Sequence, residues 1–152
     1  MFSLEGKTAL ITGASGGIGS AIATSLHQQG ANVVLHGTKA DRLKALAEKL
    51  GERAYIATAD LSDRQAVAEL VPQAAEQAGA IDILVNNAGI TKDNLFMRLK
   101  DEEWDSVLEV NMTASMILCR AAIRNMMKAR WGRIISISAI VGVTGNPGQT
   151  NY

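Results

Sequence analysis

The amino-acid sequence predicts an α/β domain, a doubly wound parallel sheet with helices on both faces. Three observations carry that expectation. Short apolar runs rich in Val, Ile and Leu alternate with longer helix-like stretches along the whole chain, as βαβ units require. The first apolar run passes directly into a glycine-rich turn, Thr12 to Gly19 (TGASGGIG), and an alanine-rich helix leaves it. No low-complexity linker or internal repeat divides the 152 residues, and a hydrophobic content of 47% suffices for one core but not comfortably for two. A single domain spanning residues 1–152 is expected.

Five strands are read in order: Lys7 to Ile11, Asn32 to His36, Ala54 to Thr58, Ile81 to Asn86 and Arg133 to Ser138. Each is short and apolar, as strands covered on both faces tend to be. Helices fall between them. The first covers Ser20 to Gln29. Thr38 is placed to cap the second, Ala40 to Leu50, and Ser62 with Gln65 forms a capping box for Arg64 to Ala78. Acidic Asp101, Glu102 and Glu103 suit the dipole at the start of a long helix that ends near Lys128, before Gly132. Right-handed crossovers put the first three strands in one half and start the other with the fourth, leaving a crevice at the carboxyl ends of the first and fourth. The fifth strand is expected as an Ile-rich, exposed edge.

Composition excludes several functions. Zero net charge gives no field to recruit nucleic acid or acidic lipid. No secretory leader is recognisable, and no uninterrupted run approaches the ~20 apolar residues that span a bilayer. A cytoplasmic protein with neither nucleic-acid nor membrane partners is therefore expected. Cys119, the single cysteine, reads as a buried structural thiol, and no metal site is expected because His27 and His36 lack a completing cluster of ligands.

The chemistry gathers at the carboxyl edge. Glycines in the first turn permit a tight bend, close approach of backbone to a pyrophosphate and tight packing of the next helix, whose unpaired N–H groups favour an anion. Gly13, Ser15, Gly16, Gly17, Ile18 and Gly19 are thus candidate cofactor residues, although the spacing is Gly-x-x-x-Gly-x-Gly rather than Gly-x-Gly-x-x-Gly. Asp60 and Leu61 follow the third strand and could read an adenine edge; the alternative is an Asp that merely opens the turn before Ser62. Asn86, Asn87, Ala88 and Gly89 follow the fourth strand, where small and amide residues let backbone approach a cofactor but also form ordinary turns. Ser136 and Ser138 end the fifth strand, where a hydroxyl can point into the crevice; a hydroxyl that merely caps the strand end is the alternative.

Taken together and in this order, TGASGGIG, Asp60, NNAG at Asn86 to Gly89, Asn111, Ser138 and Tyr152 resemble the short-chain dehydrogenase/reductase family. Two further segments, GITKDNLFMRLKDEEW (Gly89 to Trp104) and GNPGQTNY (Gly145 to Tyr152), resemble its bacterial 3-oxoacyl-[acyl-carrier-protein] reductase branch. The resemblance implies a Rossmann-like fold and NADPH-dependent reduction of a carrier-linked 3-oxoacyl thioester to the (3R)-3-hydroxyacyl thioester in fatty-acid synthesis. It also implies a cytoplasmic homotetramer. In that reading Asn111, Ser138 and Tyr152 are catalytic. Tyr152 gives the proton, Ser138 polarises the carbonyl oxygen, and Asn111, by distorting its helix, supports a water-linked proton relay.

Cofactor choice rests on His36-Gly37-Thr38-Lys39, where an NAD site expects an acidic residue about 20 residues beyond the glycine turn. Without a carboxylate to repel a 2′-phosphate, NADPH is favoured over NADH, with Thr38 hydrogen-bonding the phosphate and Lys39 or Arg42 adding charge. The related reductases commonly carry Arg in the glycine turn, where this chain has Gly16.

The family also places a Lys four residues beyond its catalytic Tyr, where an ammonium lowers the phenol's pKa. The sequence ends at Tyr152. The expectation is a family fold without its C-terminal part, and little or no turnover at this length. The alternatives are a non-catalytic nucleotide-binding fragment and a reductase for another ketone, such as an acyl-CoA thioester.

Overall fold

The computed structural model describes residues 3–152. Its strands β1 (Thr8–Ile11), β2 (Asn32–His36), β3 (Ala54–Ala57), β4 (Ile83–Asn86) and β5 (Arg133–Ser136) form one parallel sheet in the order β3-β2-β1-β4-β5. The direction of winding reverses between β1 and β4. Loops leaving these two strands diverge, and a crevice opens at their carboxyl ends, as the sequence predicts.

Side-chain alternation along the strands builds two cores. Ala9, Ile11, Val33, Leu35, Ile83 and Val85 face one side, where α1 (Gly17–Gln28) and α2 (Ala40–Leu50) contribute Ala23 and Leu43. Leu10, Val34 and Leu84 face the other, beneath α3 (Arg64–Ala78) and α5 (Ala114–Ala129), which bring Leu70, Val71, Ile117 and Leu118. Helices therefore cover both faces, and a strand buried on both sides has no polar face to show. The remaining pieces are a 3-10 turn at Phe96–Arg98, α4 (Asp101–Leu108) and the short α6 (Val141–Thr144).

Several local expectations are corrected. Thr38 does not cap α2, whose N-cap is Lys39 with no side-chain bond. For α3 the cap is Asp63, not Ser62: its carboxylate accepts from the N–H groups of Gln65 (2.9 Å) and Ala66 (3.3 Å). Ser62 is one residue too early because its hydroxyl and N–H are both committed to Asp60. The helix α1 starts at Gly17 rather than Ser20, and β4 starts at Ile83 rather than Ile81. Cys119 is half-buried rather than buried, with Asn86 Nδ2 donating to its sulfur at 3.4 Å.

The long helix is not uniform. Between α4 and α5 lies a five-residue π turn, Glu109–Thr113, so one continuous helical rod runs from Asp101 to Ala129. By length and composition alone this rod could cross a membrane, although no uninterrupted apolar run within it has that length. Its buried residues Ala114, Ile117, Leu118, Ala122 and Met126 instead pack into the core shared with α3.

Candidate nucleotide groove and active site

β1 delivers Thr12 to the base of the crevice, 2% exposed. Its hydroxyl accepts from the N–H groups of Asn87 and Ala88, both at 3.0 Å, and donates to the Val85 carbonyl at 3.2 Å. In return, Asn87 Nδ2 donates to the carbonyls of Thr12 (2.9 Å) and Gly13 (3.4 Å). Five hydrogen bonds thus tie Thr12 and Gly13 to β4 and the loop after it, four of them to the loop. Close approach also fixes the glycines. Gly13 adopts φ 67°, and a Cβ there would sit 2.9 Å from both Ala88 Cα and Asn87 Nδ2. A Cβ at Gly19 would collide with the Gly13 carbonyl.

Above this base lies a groove of about 430 Å³. Gly13, Ser15, Gly16, Gly17, Ile18 and Gly19 line one wall, Thr38 the end beyond β2, Asp60 and Leu61 the loop beyond β3, and Asn87, Ala88 and Gly89 the loop beyond β4. The N-cap of α1 is Gly16, which offers no side-chain cap, so the first-turn N–H groups lack a side-chain partner at this wall. Thr38, Lys39 and Arg42 are exposed, and Lys39 and Arg42 do not line the groove.

Asp60 is both a turn residue and a groove residue. Its Oδ1 accepts from the Ser62 hydroxyl (2.7 Å) and N–H (2.9 Å), which opens the turn into α3, while the residue also lines the groove. The Ser62 hydroxyl, and after it the Ser62 N–H, hold its carboxyl below the ordinary Asp value.

Four lining residues were not among the expected cofactor contacts: Ile90 and Val110, and His36 and Gly37, which the sequence brought in only through the stretch ending the second strand. His36 is 1% exposed, so it is not a surface histidine. Its Nε2 bonds the Ala59 carbonyl at 3.0 Å, which makes Nε2 the protonated nitrogen, and Nδ1 has no partner among the described residues. Burial pushes its pKa down, only partly offset by the Ala59 bond, so the ring is neutral. Only its place as the last residue of a strand hinted at this location. His27 lies elsewhere, with Nε2 on the Glu52 carbonyl at 2.8 Å.

Asn111 sits in the π turn, and its side chain forms a reciprocal pair with the backbone of Ile90. The Ile90 N–H donates to Oδ1 at 2.8 Å, and Nδ2 donates to the Ile90 carbonyl at 3.0 Å. Of the three residues expected to be catalytic, it alone is tied to a lining residue.

Ser138 lies two residues beyond β5, exposed and outside the groove, while Ser136 Oγ accepts from Asn86 Nδ2 at 3.4 Å. Tyr152 is 46% exposed and also outside the lining. Its segment is held to the loop before α4: Gln149 Nε2 donates to the Asp93 carboxylate, and the Asn94 N–H to the Gly148 carbonyl. Asn151 Nδ2 completes the attachment with bonds to the carbonyls of Lys92 (3.0 Å) and Glu103 (3.2 Å).

A doubly wound parallel sheet with a glycine-lined groove at its switch point is the architecture of nucleotide-binding oxidoreductase domains. Residues 7–152 match the family described as short chain dehydrogenase, and the chain belongs to that family. It is similar to Nodulation protein G of Rhizobium sp. (strain N33), with 57% identity over 152 residues, all of this chain and 62% of that relative. Nodulation protein G of Rhizobium meliloti (strain 1021) is 52% identical over the same extent, again 62% of the relative. The 3-oxoacyl-[acyl-carrier-protein] reductase of Rickettsia bellii (strain RML369-C) is 50% identical over 152 residues, 61% of its length. The chain thus spans about three fifths of the curated relatives it matches.

Proposed function

We propose that the chain carries the cofactor groove and part of the active site of an NADPH-dependent reductase. Its substrate is a 3-oxoacyl-[acyl-carrier-protein], reduced to the (3R)-3-hydroxyacyl form, and the whole protein is a cytoplasmic homotetramer. The observation carrying this reading is that the twelve candidate cofactor positions all line one groove at the switch point. A relative bearing that reductase's name is 50% identical across the chain, which supports the substrate.

The residues present fit a dinucleotide. Gly13 and Gly19 let the glycine turn pack closely on itself and on the loop after β4, the N–H groups at the start of α1 suit a pyrophosphate, and Asp60 with Leu61 suits the adenine. Thr38 would hold a 2′-phosphate, with no carboxylate ending β2 to repel it. When bound, NADPH supplies a hydride to the ketone carbon. Charge then grows on the ketone oxygen, where Ser138 donates a hydrogen bond and Tyr152 delivers the proton. Asn111 fixes the Ile90 backbone beside the reacting end.

Calorimetric titration of the purified protein with NADPH, NADH and 2′,5′-ADP tests the groove. NADPH should bind more tightly than NADH, and Thr38→Asp should reverse the preference by weakening NADPH about tenfold or more. No heat with any of the three overturns the reading. Absorbance loss from NADPH with a 3-oxoacyl-carrier substrate, compared with the acyl-CoA equivalent, tests the chemistry and separates the two thioesters. A second reading, a nucleotide-binding unit without chemistry, is favoured by the exposure of Ser138 and Tyr152 outside the groove. Tight NADPH binding with no turnover on either thioester selects it.

A further inference from the structure

We propose that the ion pair between Arg64 and Glu109 is a positioning device for the adenosine end of the groove, coupling the wall after β3 to the π turn. The proposal rests on the dinucleotide reading and adds residues that reading does not use.

Arg64 opens α3 and Glu109 opens the π turn, so they are distant in sequence; neither lines the groove, but Asp60, four residues before Arg64, and Val110, next to Glu109, both do. Their contact is a two-pronged fork: Arg64 Nε donates to Oε1 and Nη2 to Oε2, both at 2.7 Å. Single-point surface pairs contribute little, whereas a bidentate guanidinium–carboxylate pair fixes both distance and angle between the elements that carry it. The Glu109 side chain is 20% exposed and the Arg64 side chain 69%, so the pair is open to solvent on the Arg64 side and its value lies in the geometry it fixes. Arg64 also holds the Glu109 carboxyl below its ordinary pKa.

The π turn gives this pair its reach. Its first three residues each serve a different neighbour: Glu109 takes Arg64, Val110 lines the groove, and Asn111 grips the Ile90 backbone. On the other side Arg64 follows the Asp63 cap, which in turn follows the Asp60–Ser62 turn. A chain of contacts results. It runs from Asp60 through Arg64 and Glu109 to Asn111 and Ile90, and Asp60, Val110 and Ile90 along it line the groove. A regular α-helix would direct these three side chains differently, and π turns occur often at functional sites for this reason. Loss of the pair therefore lets the Asp60 wall and Val110 move apart, widening the end that would hold the adenosine.

The experiment is a double-mutant cycle read in nucleotide binding and, in parallel, in melting temperature. Wild type, Arg64→Ala, Glu109→Ala and the double variant are titrated with NADPH and with 5′-AMP, which occupies the adenosine end alone. Each single variant should weaken both ligands about three- to tenfold, and the double variant no more than either single, since the pair acts as a unit. Arg64→Lys should restore only part of the affinity because an ammonium cannot make the fork. A purely structural pair would show its coupling in melting temperature and none in the dissociation constants.

Unchanged affinities in both single variants, or fully additive losses, would overturn the proposal while leaving the dinucleotide reading intact. If wild type binds neither NADPH nor 5′-AMP, the dinucleotide reading itself falls, and this proposal with it.

Discussion

Thr12 and His36 show how single side chains decide what the groove can do. The Thr12 hydroxyl satisfies two backbone donors that would otherwise be unpaired at the base of the crevice. Thr12→Val, nearly the same shape, should therefore destabilise the fold by about 1–3 kcal/mol, the usual cost of stranding buried donors. Urea unfolding would measure the loss, and Thr12→Ser should recover most of it; equal stability of all three proteins would show that the staple contributes nothing. At His36 the effect depends on pH. Its folded pKa lies below the ordinary value of 6.5 because the ring is buried. Between those two values the unfolded chain binds more protons than the native one, so stability rises with pH and is lost on acidification through that window. His36→Gln, which keeps a donor for Ala59, should flatten the stability profile just below pH 6.5. An unchanged slope would mean that His36 does not titrate with folding. Neither role was legible from sequence, because whether a strand-end His points into core or solvent depends on what the third strand's loop lays over it.

The elements themselves were largely legible where burial dictates the residue type. Val33, Val34, Leu35, Ile83, Leu84 and Val85 lie in strands covered on both faces, and such strands can only read as continuous apolar runs. Caps were less legible, since Ser62 and Asp63 are both good caps and only tertiary placement commits Ser62 to Asp60. The π turn was the least so: it adds one residue to a helical turn and leaves the apolar spacing on either side almost unchanged. Asn111 was its one visible trace, a side chain poorly suited to a helix interior. Its bonds to Ile90 supply the compensation. Asn111→Leu removes both and leaves the Ile90 N–H and carbonyl without the amide. Amide hydrogen exchange at Ile90 should then accelerate by about tenfold, with melting lowered by a few degrees. Asn111→Asp keeps the acceptor and should retain most of the protection at the Ile90 N–H. Exchange as slow as wild type in the Leu variant would show that the π turn holds its shape without this pair.

At the scale of the molecule, the sheet is asymmetric: β1, β2 and β4 are buried, whereas all four residues of β5 are exposed. Ile134 and Ile135, at 39% and 43% exposure, lie on an edge whose outer N–H and carbonyl groups face no other strand of the sheet. Ile123 and Met127 on α5 extend the apolar surface beside it. An Ile-rich open edge flanked by an apolar helix is a template for strand addition, and nothing on β5 beyond Arg133 supplies the charge that usually blunts such edges. Protein comprising these 152 residues should therefore self-associate as concentration rises, through β5 rather than through the β3 edge. Sedimentation velocity across a hundredfold concentration range measures this. Ile135→Lys should return the protein to monomer, because bringing two such edges together would bury an ammonium that lacks a partner. A matched Lys at Tyr55 on β3 should leave association as it was. A single monomeric boundary at every concentration would instead mean that main-chain pairing at β5 is too weak to outweigh the loss of freedom on association.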